Sequence, residues 1–339
     1  MTAMNRRIVL ASRPGAEARE ENFRLESAPL PVPGPGQALV RHHFLSLDPY
    51  MRGRMSDAKS YAEPQPLDEV MLGGTVGEVI ASNSPTLAVG DHVVSMGGWQ
   101  EYSVAAAGGA GGAQKVDARR IPLSAFLGAV GMPGVTAWYG LNAICEPKAG
   151  ETVVVSAASG AVGSVVGQLA KAKGCRVVGI AGGRDKCAYV SGELGFDACV
   201  DYKAAPDPKA LRALLREATP KGIDCNFENV GGVVLDAVLA GMNPFGRIAV
   251  CGMISRYDGA ALPLADPSKI LTARLKIQGF IVSEHPAVWP KALAELGAGV
   301  AAGTLKYRES VALGLEQAPR AFLGLLKGHN FGKQVVKLV

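Results

Sequence analysis

The chain has 339 residues, of which 48% are hydrophobic and 19% are charged, and 43 are glycine. This length is enough for two hydrophobic cores, because single cores stop growing at about 250–300 residues. The formal net charge of +5 is spread over 35 basic and 30 acidic residues. Without a run of like charges, the sequence argues against a nucleic-acid arm and favours a solvated surface with some bias toward anionic cofactors.

The cysteines and the termini indicate where the protein resides. None of the cysteines forms a CxxC pair or has a nearby histidine, which predicts reduced, buried thiols in a cytoplasmic protein. The apolar stretch near the N-terminus is too short for a signal peptide. The uncharged run 152–170 contains serines and glycines, and we interpret it as a strand, a turn and a helix instead of a membrane span. The six cysteines are Cys145, Cys175, Cys187, Cys199, Cys225 and Cys251.

Residues 1 to about 125 have a pattern typical of a mostly-β domain. Short apolar runs at 37–44, 74–81 and 91–96 are separated by turn residues and predict strands. The Ala- and Gly-rich segment 105–113 predicts a flexible surface loop. The tail from about residue 307 ends in the strand-like KQVVKLV, and we expect it to return to this first domain.

From about residue 128, strands alternate with helices. This order predicts an α/β domain with a doubly wound parallel sheet and right-handed crossovers. We place the domain boundaries at 1–127 with 308–339, and at 128–307. The predicted strands are 151–158, 176–181, 198–200, 223–227, 246–251 and 276–282, and the predicted helices are 161–174, 185–195, 211–218, 233–242 and 289–302.

A glycine-rich turn follows the first strand of this region. Its AxxGxxG spacing is a form of the dinucleotide-binding fingerprint. In such a turn Gly160 lets the backbone approach a pyrophosphate at the helix N-terminus, and Gly163 lets the helix pack closely on the strand. A purely structural turn can share this spacing, but the strand–turn–helix context favours dinucleotide binding. The turn consists of Ala157, Ala158, Ser159, Gly160, Ala161, Val162 and Gly163.

The end of the second strand distinguishes NADP from NAD. NAD sites place an Asp or Glu there to bind the ribose 2′-hydroxyl. Here the strand ends in Gly182 and Gly183, followed by Arg184, Asp185 and Lys186. Cations beside an open glycine turn suit a 2′-phosphate, which a carboxylate would repel. The sequence therefore favours NADPH; the alternative is that Arg184 and Lys186 are solvated residues at a helix start.

Further segments, together with the glycine turn, share one pattern along nearly the whole chain. They are 45–52 (LSLDPYMR), 131–140 (GMPGVTAWYG), 227–232 (FENVGG), 251–257 (CGMISRY) and 326–333 (LKGHNFGK). The pattern is similar to the medium-chain dehydrogenase/reductase superfamily, and within it to the leukotriene B4 12-hydroxydehydrogenase / prostaglandin reductase branch with its curcumin-reductase-like and plant double-bond reductases. The resemblance implies a GroES-like β domain, built from both chain ends, around a Rossmann domain.

The resemblance also implies roles for single residues. Gly160 to Gly163 would hold the pyrophosphate, and Lys186 and Tyr202 the 2′-phosphate. Tyr257 would reach the substrate carbonyl and is the catalytic candidate. Glu228 stands where the family more usually has Asp. Further cofactor contacts are implied for Asn229, Cys251, Gly252, Ile254, Ser255, Tyr257, Phe280, Ile281, Val282 and Asn330.

Substrate contacts are expected from two segments. Tyr50 and Met51 are candidates near the N-terminus, where Asp48 and Arg52 would form a structural polar pair. Met132, Pro133 and Thr136 precede the first Rossmann strand, and core packing is an equal interpretation for these three.

A zinc ion is not expected. Zinc alcohol dehydrogenases share this fold, but residues 1–144 contain no cysteine, and the segment 73–78 (GGTVGE) has no histidine. The histidines show no ligand spacing with Cys or Glu: His42, His43, His92, His285 and His329.

The expected reaction is NADPH-dependent reduction of the C=C bond of α,β-unsaturated ketones and aldehydes, with hydride transfer to the β-carbon and a hydrogen bond from Tyr257 to the carbonyl oxygen. The alternatives are a quinone reductase of the same fold and a non-catalytic NADPH-binding protein. For Tyr257 the alternative is an ordinary surface-loop tyrosine. We expect a small-molecule substrate, no nucleic-acid or membrane partner, and a homodimer that pairs through the last strand of the sheet, KIQGFIV.

Overall fold

The computed structural model describes residues 4–109, 111–257, 259 and 261–339. The chain divides into two compact units: one holds the described residues up to Gly128 together with Glu309–Val339, and the other is Ala129–Arg308. The strands are β1 (Met4–Leu10), β2 (Phe23–Pro29), β3 (Gln37–Ser46), β4 (Thr75–Ser82), β5 (His92–Ser95), β6 (Tyr102–Ala106), β7 (Gln114–Lys115), β8 (Thr152–Ser156), β9 (Arg176–Ala181), β10 (Ala198–Asp201), β11 (Ile223–Glu228), β12 (Met242–Val250), β13 (Lys276–Gly279), β14 (Glu309–Leu313) and β15 (Lys333–Lys337). The α-helices are α1 (Tyr50–Arg54), α2 (Met132–Tyr139), α3 (Gly163–Ala172), α4 (Arg184–Gly192), α5 (Pro208–Ala218), α6 (Gly232–Gly241), α7 (Ser268–Thr272), α8 (Trp289–Ala301) and α9 (Ala318–Leu326).

The first unit is built on a sheet in the order β14-β15-β3-β4-β5-β7, with β6 also paired to β3. Strand β15, from the end of the chain, lies antiparallel to β3. Helix α9 adds Phe322 to the core, where its ring lies 5.6 Å from that of Trp99, and Phe23 stacks on Trp99 at 5.3 Å. Both ends of the chain therefore complete one core, which agrees with the predicted return of the tail.

A buried ion pair joins the N-terminal and the C-terminal segment of this unit. Lys333 is 3% exposed, and its Nζ donates to Asp48 Oδ1 at 2.6 Å and to the carbonyl of Leu47 at 2.8 Å. Burial lowers the pKa of Lys333, and the carboxylate of Asp48 opposes that shift. The pairing of Asp48 with Arg52 stays a prediction. Lys333 is a further partner of Asp48, and it lies too far along the chain for local spacing to reveal it.

The second unit contains a parallel sheet in the order β10-β9-β8-β11-β12-β13. Every residue of β8 (TVVVS) is buried, as expected for a β-branched strand covered on both faces by helices. Helix α5 shows the local start signals, since Pro208 is its first residue and the side chain of Asp207 accepts from the N–H of Ala210 at 2.8 Å. The two sheets confirm the predicted fold class, which is a doubly wound α/β domain and a mostly-β domain.

Some predicted boundaries were wrong. The last strand, predicted at 276–282, ends at Gly279, and Val282–Glu284 forms a 3-10 turn because the chain leaves the sheet there. The predicted loop 105–113 is partly sheet, since Ala105 pairs with β3 and Ala107 bridges Ala113. Ala110 lies outside the described residues. The partner of Ala105 lies in the distant strand β3, and the low-complexity composition gives no sign of this pairing.

The cysteines follow the prediction only in part. Cys145, Cys175 and Cys225 are buried. The other three, Cys187, Cys199 and Cys251, are only partly buried, so the expectation of buried thiols was wrong for them. Two of these lie at the rim of the sheet: Cys199 is on the edge strand β10, and Cys251 directly follows β12.

Within the part of the chain that the structure describes, no helix has the length and apolar character that a membrane span needs. The run 152–170 consists of β8, the glycine turn and most of α3.

Candidate functional site

The order of the strands indicates that a ligand would bind at the carboxyl edge of the parallel sheet. Strand β8, the first of the sheet in sequence, lies between β9 and β11, so the chain runs outward from it in opposite directions. In open α/β sheets, ligands bind outside the carboxyl ends of the strands at such a switch point. The segments that follow β8, β9, β11 and β12 therefore define the candidate site.

The glycine turn after β8 is tightly closed. Ala157 has a φ of 49°, and its carbonyl accepts from the N–H of Gly160 at 2.9 Å. A Cβ at Gly163 would lie 2.4 Å from this carbonyl oxygen, and a Cβ at Gly160 would lie 3.1 Å from it. A side chain at Gly163 is therefore excluded by the turn itself. Helix α3 begins at Gly163, so the predicted helix start at Ala161 was wrong: Ala161 and Val162 belong to the turn.

This turn has the features that a pyrophosphate requires. It places the N-terminus of the ten-residue helix α3 at the carboxyl end of β8, where the helix dipole favours an anion. Gly160 and Gly163 have no side chains, so the backbone of the turn can come close to a bound phosphate. The residues present thus fit a dinucleotide.

The end of β9 brings cations together. Burial, and then the neighbouring ammonium of Lys203, lowers the pKa of Lys186. A Cβ at Gly182 would lie 2.8 Å from Tyr202 Cε1 and 3.0 Å from Lys203 Cε, so both side chains cover this glycine. Sequence reasoning missed Lys203, although its position directly after Tyr202 was a usable signal. Two ammonium groups beside the end of β9 are a donor set that fits a phosphate dianion.

A carboxylate also lies near this point, which the sequence did not reveal. Asp201, at the end of β10, accepts from the N–H of Gly183 at 2.8 Å and from the N–H of Lys203 at 3.0 Å. It comes from the third strand and not the second, so spacing from the glycine turn does not predict it. The bond to Gly183 ties the end of β9 to that of β10, and the bond to Lys203 holds the turn that follows β10.

A fully buried carboxylate organises the loop after β11. Glu228 is 0% exposed, and its Oε1 accepts from the N–H groups of Val230 and Gly231 at 2.7 and 2.8 Å and from Ser156 Oγ at 2.9 Å. Its Oε2 accepts from Asn226 Nδ2 at 3.0 Å. Four donors satisfy the charge. Glu228 thereby joins the end of β8 to the loop that follows β11.

Asn229 reinforces the same junction. Its N–H donates to Ser156 Oγ and its Nδ2 donates to the Ser156 carbonyl, both at 2.8 Å. The side chain predicted to contact the cofactor thus also holds β8 and β11 in register.

The segment after β12 is bound to this loop. The N–H groups of Cys251 and Gly252 donate to the Glu228 carbonyl, and the N–H of Ile254 donates to the Asn229 carbonyl. Ser255 binds the Val230 carbonyl through its N–H at 3.1 Å and its hydroxyl at 2.5 Å. Desolvation, and then the Glu228 carboxylate, raises the pKa of the Cys251 thiol to about 12, so it stays protonated at neutral pH. The structure therefore brings together Asn229 and the predicted segment 251–255.

Tyr257 lies at the end of this segment. It follows the 3-10 turn Ile254–Arg256, and its side chain is partly exposed. A Cβ at Gly252 would lie 3.4 Å from the Tyr257 hydroxyl, so the phenol folds back over the start of the segment. A glycine at 252 leaves room for it.

The predicted contacts from residues 280–282 lie beside α2. The ring of Phe280 is 5.4 Å from that of Tyr139 and 6.2 Å from that of Phe227. Val282 is buried, and its carbonyl accepts from Trp289 Nε1 at 3.3 Å. Ile281, between them, is partly exposed. Aromatic packing thus fixes this segment after β13.

The substrate candidates on α2 make contacts within their own helix. Thr136 is 6% exposed, and its hydroxyl donates to the carbonyl of Met132 at 2.8 Å. Pro133 is buried. A substrate role for Met132 and Thr136 stays a prediction.

Three predicted residues belong to the other unit. Tyr50 begins α1, and burial and the charge of Asp48 raise its pKa. Met51 is fully buried in the core that contains Trp99. Asn330 donates through Nδ2 to the carbonyl of Gly332 at 2.7 Å. The roles of these residues toward substrate and cofactor stay predictions.

Comparison with known proteins shows which family this chain is similar to. A family model described as N-terminal domain of oxidoreductase matches residues 6–112, and one described as zinc-binding dehydrogenase matches residues 161–298. The NADPH-dependent curcumin reductase of Escherichia coli is 47% identical over 98% of this chain and 97% of its own length. The 2-alkenal reductase (NADP(+)-dependent) of Nicotiana tabacum is 42% identical over 98% of this chain and 97% of its own length. The crystal structure of CurA from Vibrio vulnificus in complex with NADPH, 47% identical, covers 98% of this chain and 99% of its own with a TM-score of 0.91.

The chain belongs to the medium-chain dehydrogenase/reductase superfamily, in its zinc-free branch of alkenal and enone reductases. The description of the second family model mentions zinc. In this reductase, the described residues contain no group of three or more His, Cys, Asp or Glu side chains that could hold a metal ion.

Removing the carboxylate of Glu228 should destabilise the reductase. In Glu228→Ala, the buried N–H groups of Val230 and Gly231 lose their acceptor, and we expect the free energy of unfolding to fall by about 3 kcal/mol in urea titrations. Glu228→Gln keeps one acceptor oxygen and should lose less. The control Glu217→Ala, on the exposed face of α5, should change stability by no more than about 0.5 kcal/mol. Equal stability of Glu228→Ala and the control would contradict the organising role of the carboxylate.

Proposed function

We propose that this reductase saturates the C=C bond of α,β-unsaturated ketones and aldehydes, with NADPH as the reductant. The observation that carries the proposal is the match along nearly the whole chain to relatives named as NADPH-dependent curcumin reductase and NADP(+)-dependent 2-alkenal reductase. When bound, NADPH supplies a hydride for the β-carbon of such a substrate. The protein must bind the cofactor, orient the substrate and stabilise the charge that develops on the carbonyl oxygen.

For the cofactor, we propose that the glycine turn holds the pyrophosphate and that Lys186, Tyr202 and Lys203 hold the 2′-phosphate. The lowered pKa of Lys186 supports this assignment, because an added dianion would compensate the burial and the repulsion from Lys203. The loop after β11 and the segments 251–257 and 280–282 would line the nicotinamide side, and Asn330 is a further cofactor residue of the other unit.

For the substrate, we propose that the hydroxyl of Tyr257 donates a hydrogen bond to the carbonyl oxygen. A fixed donor aimed at that oxygen stabilises the enolate more than the ground-state carbonyl, which lowers the barrier. The hydrogen bonds of Ser255 and Ile254 to the loop after β11 hold the segment that carries Tyr257. Tyr50, Met51, Met132 and Thr136 remain candidates for shaping the substrate pocket.

We also propose a cytoplasmic homodimer. Strand β13 is the edge of the parallel sheet, and Ile277 on it is 38% exposed, which supports pairing with a second copy. The absence of a CxxC pair from the sequence supports a reducing compartment. Light scattering at the mass of a single chain would contradict the dimer, and recovery of the protein outside the cytoplasmic fraction would contradict the location.

Turnover tests the reaction class. The purified protein, treated with a chelator, should oxidise NADPH in the presence of a simple enone or alkenal, and the product should be the saturated carbonyl compound. A quinone offered at the same concentration should react more slowly. Turnover of the quinone alone would favour the quinone reductases, and cofactor binding without any turnover would favour a non-catalytic role.

Substitution of the phenol tests the mechanism. In Tyr257→Phe the enone-dependent kcat should fall about 100-fold, because one donor to the developing oxyanion is lost, while the Kd for NADPH should stay within about twofold of wild type. Tyr61→Phe, at an exposed tyrosine, is the matched control and should keep its kcat. An unchanged kcat in Tyr257→Phe would exclude the proposed role.

A further inference from the structure

Two cysteines on neighbouring elements meet beside the proposed 2′-phosphate residues. Cys187 lies on α4, one residue after Lys186, and Cys199 lies on β10, three residues before Tyr202. Their Sγ atoms are 3.1 Å apart, and both residues are partly exposed. A disulfide bond has a length of about 2.0 Å, so an approach of about 1 Å would join the two sulfurs. No role in the proposed reaction requires this pair.

The two thiols are chemically unequal. The S–H of Cys199 donates to Cys187 Sγ, which lowers the pKa of Cys187 and raises that of Cys199. A lowered pKa increases the share of thiolate, the form that reacts with oxidants. Cys187 is therefore the attacking sulfur, and Cys199 is placed to resolve the product.

We propose that Cys187 and Cys199 form a redox-sensitive dithiol, which hydroperoxides convert to a disulfide that weakens NADPH binding. The second part of this proposal rests on the proposed function. Transient, redox-sensing disulfides are the kind that occurs in reducing compartments.

The chemistry balances with the hydroperoxide as oxidant. The Cys187 thiolate attacks the terminal peroxide oxygen, the O–O bond breaks, and an alcohol (water, from hydrogen peroxide) leaves after protonation. The sulfur of Cys199 then attacks the sulfenic acid sulfur of Cys187, the S–O bond breaks, and water leaves as the S–S bond forms. Two thiols lose two electrons and two protons in total, and the hydroperoxide is reduced to an alcohol and water.

The surrounding contacts connect the dithiol to the 2′-phosphate residues on both sides. Cys187 adjoins Lys186, and Cys199 leads into Asp201, whose carboxylate holds the N–H groups of Gly183 and Lys203. The layer beneath is tightly packed, since a Cβ at Gly179 would lie 3.3 Å from Cys199 Sγ. Closure of the S–S bond therefore has to displace α4 or the end of β10, and either shift moves a phosphate ligand. Because coupling is reciprocal, bound NADPH should also slow formation of the disulfide.

The experiment uses the full chain treated with hydrogen peroxide and then alkylated. Peptide mass spectrometry should find the peptides of Cys187 and Cys199 joined with the loss of two hydrogens, and dithiothreitol should reverse this. Cys187→Ser and Cys199→Ser should abolish the cross-link, whereas Cys175→Ser, at a buried cysteine, should keep it. The Kd for NADPH should rise about fivefold or more on oxidation, with less than about a twofold change for NADH, which lacks the 2′-phosphate.

Each result bears on a separate part of the proposal. Failure to form the cross-linked peptide would overturn the dithiol, whatever the cofactor affinity. A cross-link with an unchanged Kd for NADPH would overturn its coupling to the cofactor. Failure of the reduced protein to bind NADPH would contradict the proposed function and with it the coupling, while the mass measurement would still decide whether the dithiol exists.

Discussion

The buried carboxylate of Glu228 is the interaction on which the carboxyl edge of the sheet depends. Its four hydrogen bonds join strand β8 to the loop after β11, and the backbone of the same residue receives the N–H groups of Cys251 and Gly252. A buried charge without a cation is stable only when donors surround it, so these loops have little freedom to rearrange. The resemblance implied Asp at this position, and the longer side chain of Glu228 finds a full set of donors here.

In the function we propose, the charge at the end of β9 determines which dinucleotide fits. The glycine turn after β8 suits the pyrophosphate of either NAD or NADP, because it provides backbone groups and a helix N-terminus but no contact specific to the ribose. In the proposed site, Lys186 and Lys203 add two positive charges at the point where the two cofactors would differ. Asp201 supplies one negative charge, but its carboxylate holds the backbone of Gly183 and Lys203, which fixes the geometry of the same place. The proposed dithiol acts on the same short stretch of chain.

Much of the second unit was predictable because its signals are local. The valine run of β8, the spacing of Gly160 and Gly163 and the alternation of strands with helices are all contained in short windows of sequence, and the resemblance identified the family. The features that were missed depend on contacts between distant residues. Lys333 reaches Asp48 from the other end of the chain, Asp201 comes from a third strand, and Ala105 of the Ala- and Gly-rich segment pairs with β3. The contact between Cys187 and Cys199 was also not predicted, because the two residues lie on different elements.

The most direct test of the account is the ratio of the Kd values for NADH and NADPH, measured by titration of wild type and Lys186→Ala under reducing conditions. We expect that wild type prefers NADPH and that Lys186→Ala weakens the binding of NADPH about tenfold while the Kd for NADH changes little, since one charged contact to the 2′-phosphate is lost. Lys209→Ala, at an exposed lysine on α5, should retain the wild-type ratio. An equal loss of affinity for both cofactors in Lys186→Ala, or a wild-type protein without preference, would contradict the assignment of the 2′-phosphate to the end of β9.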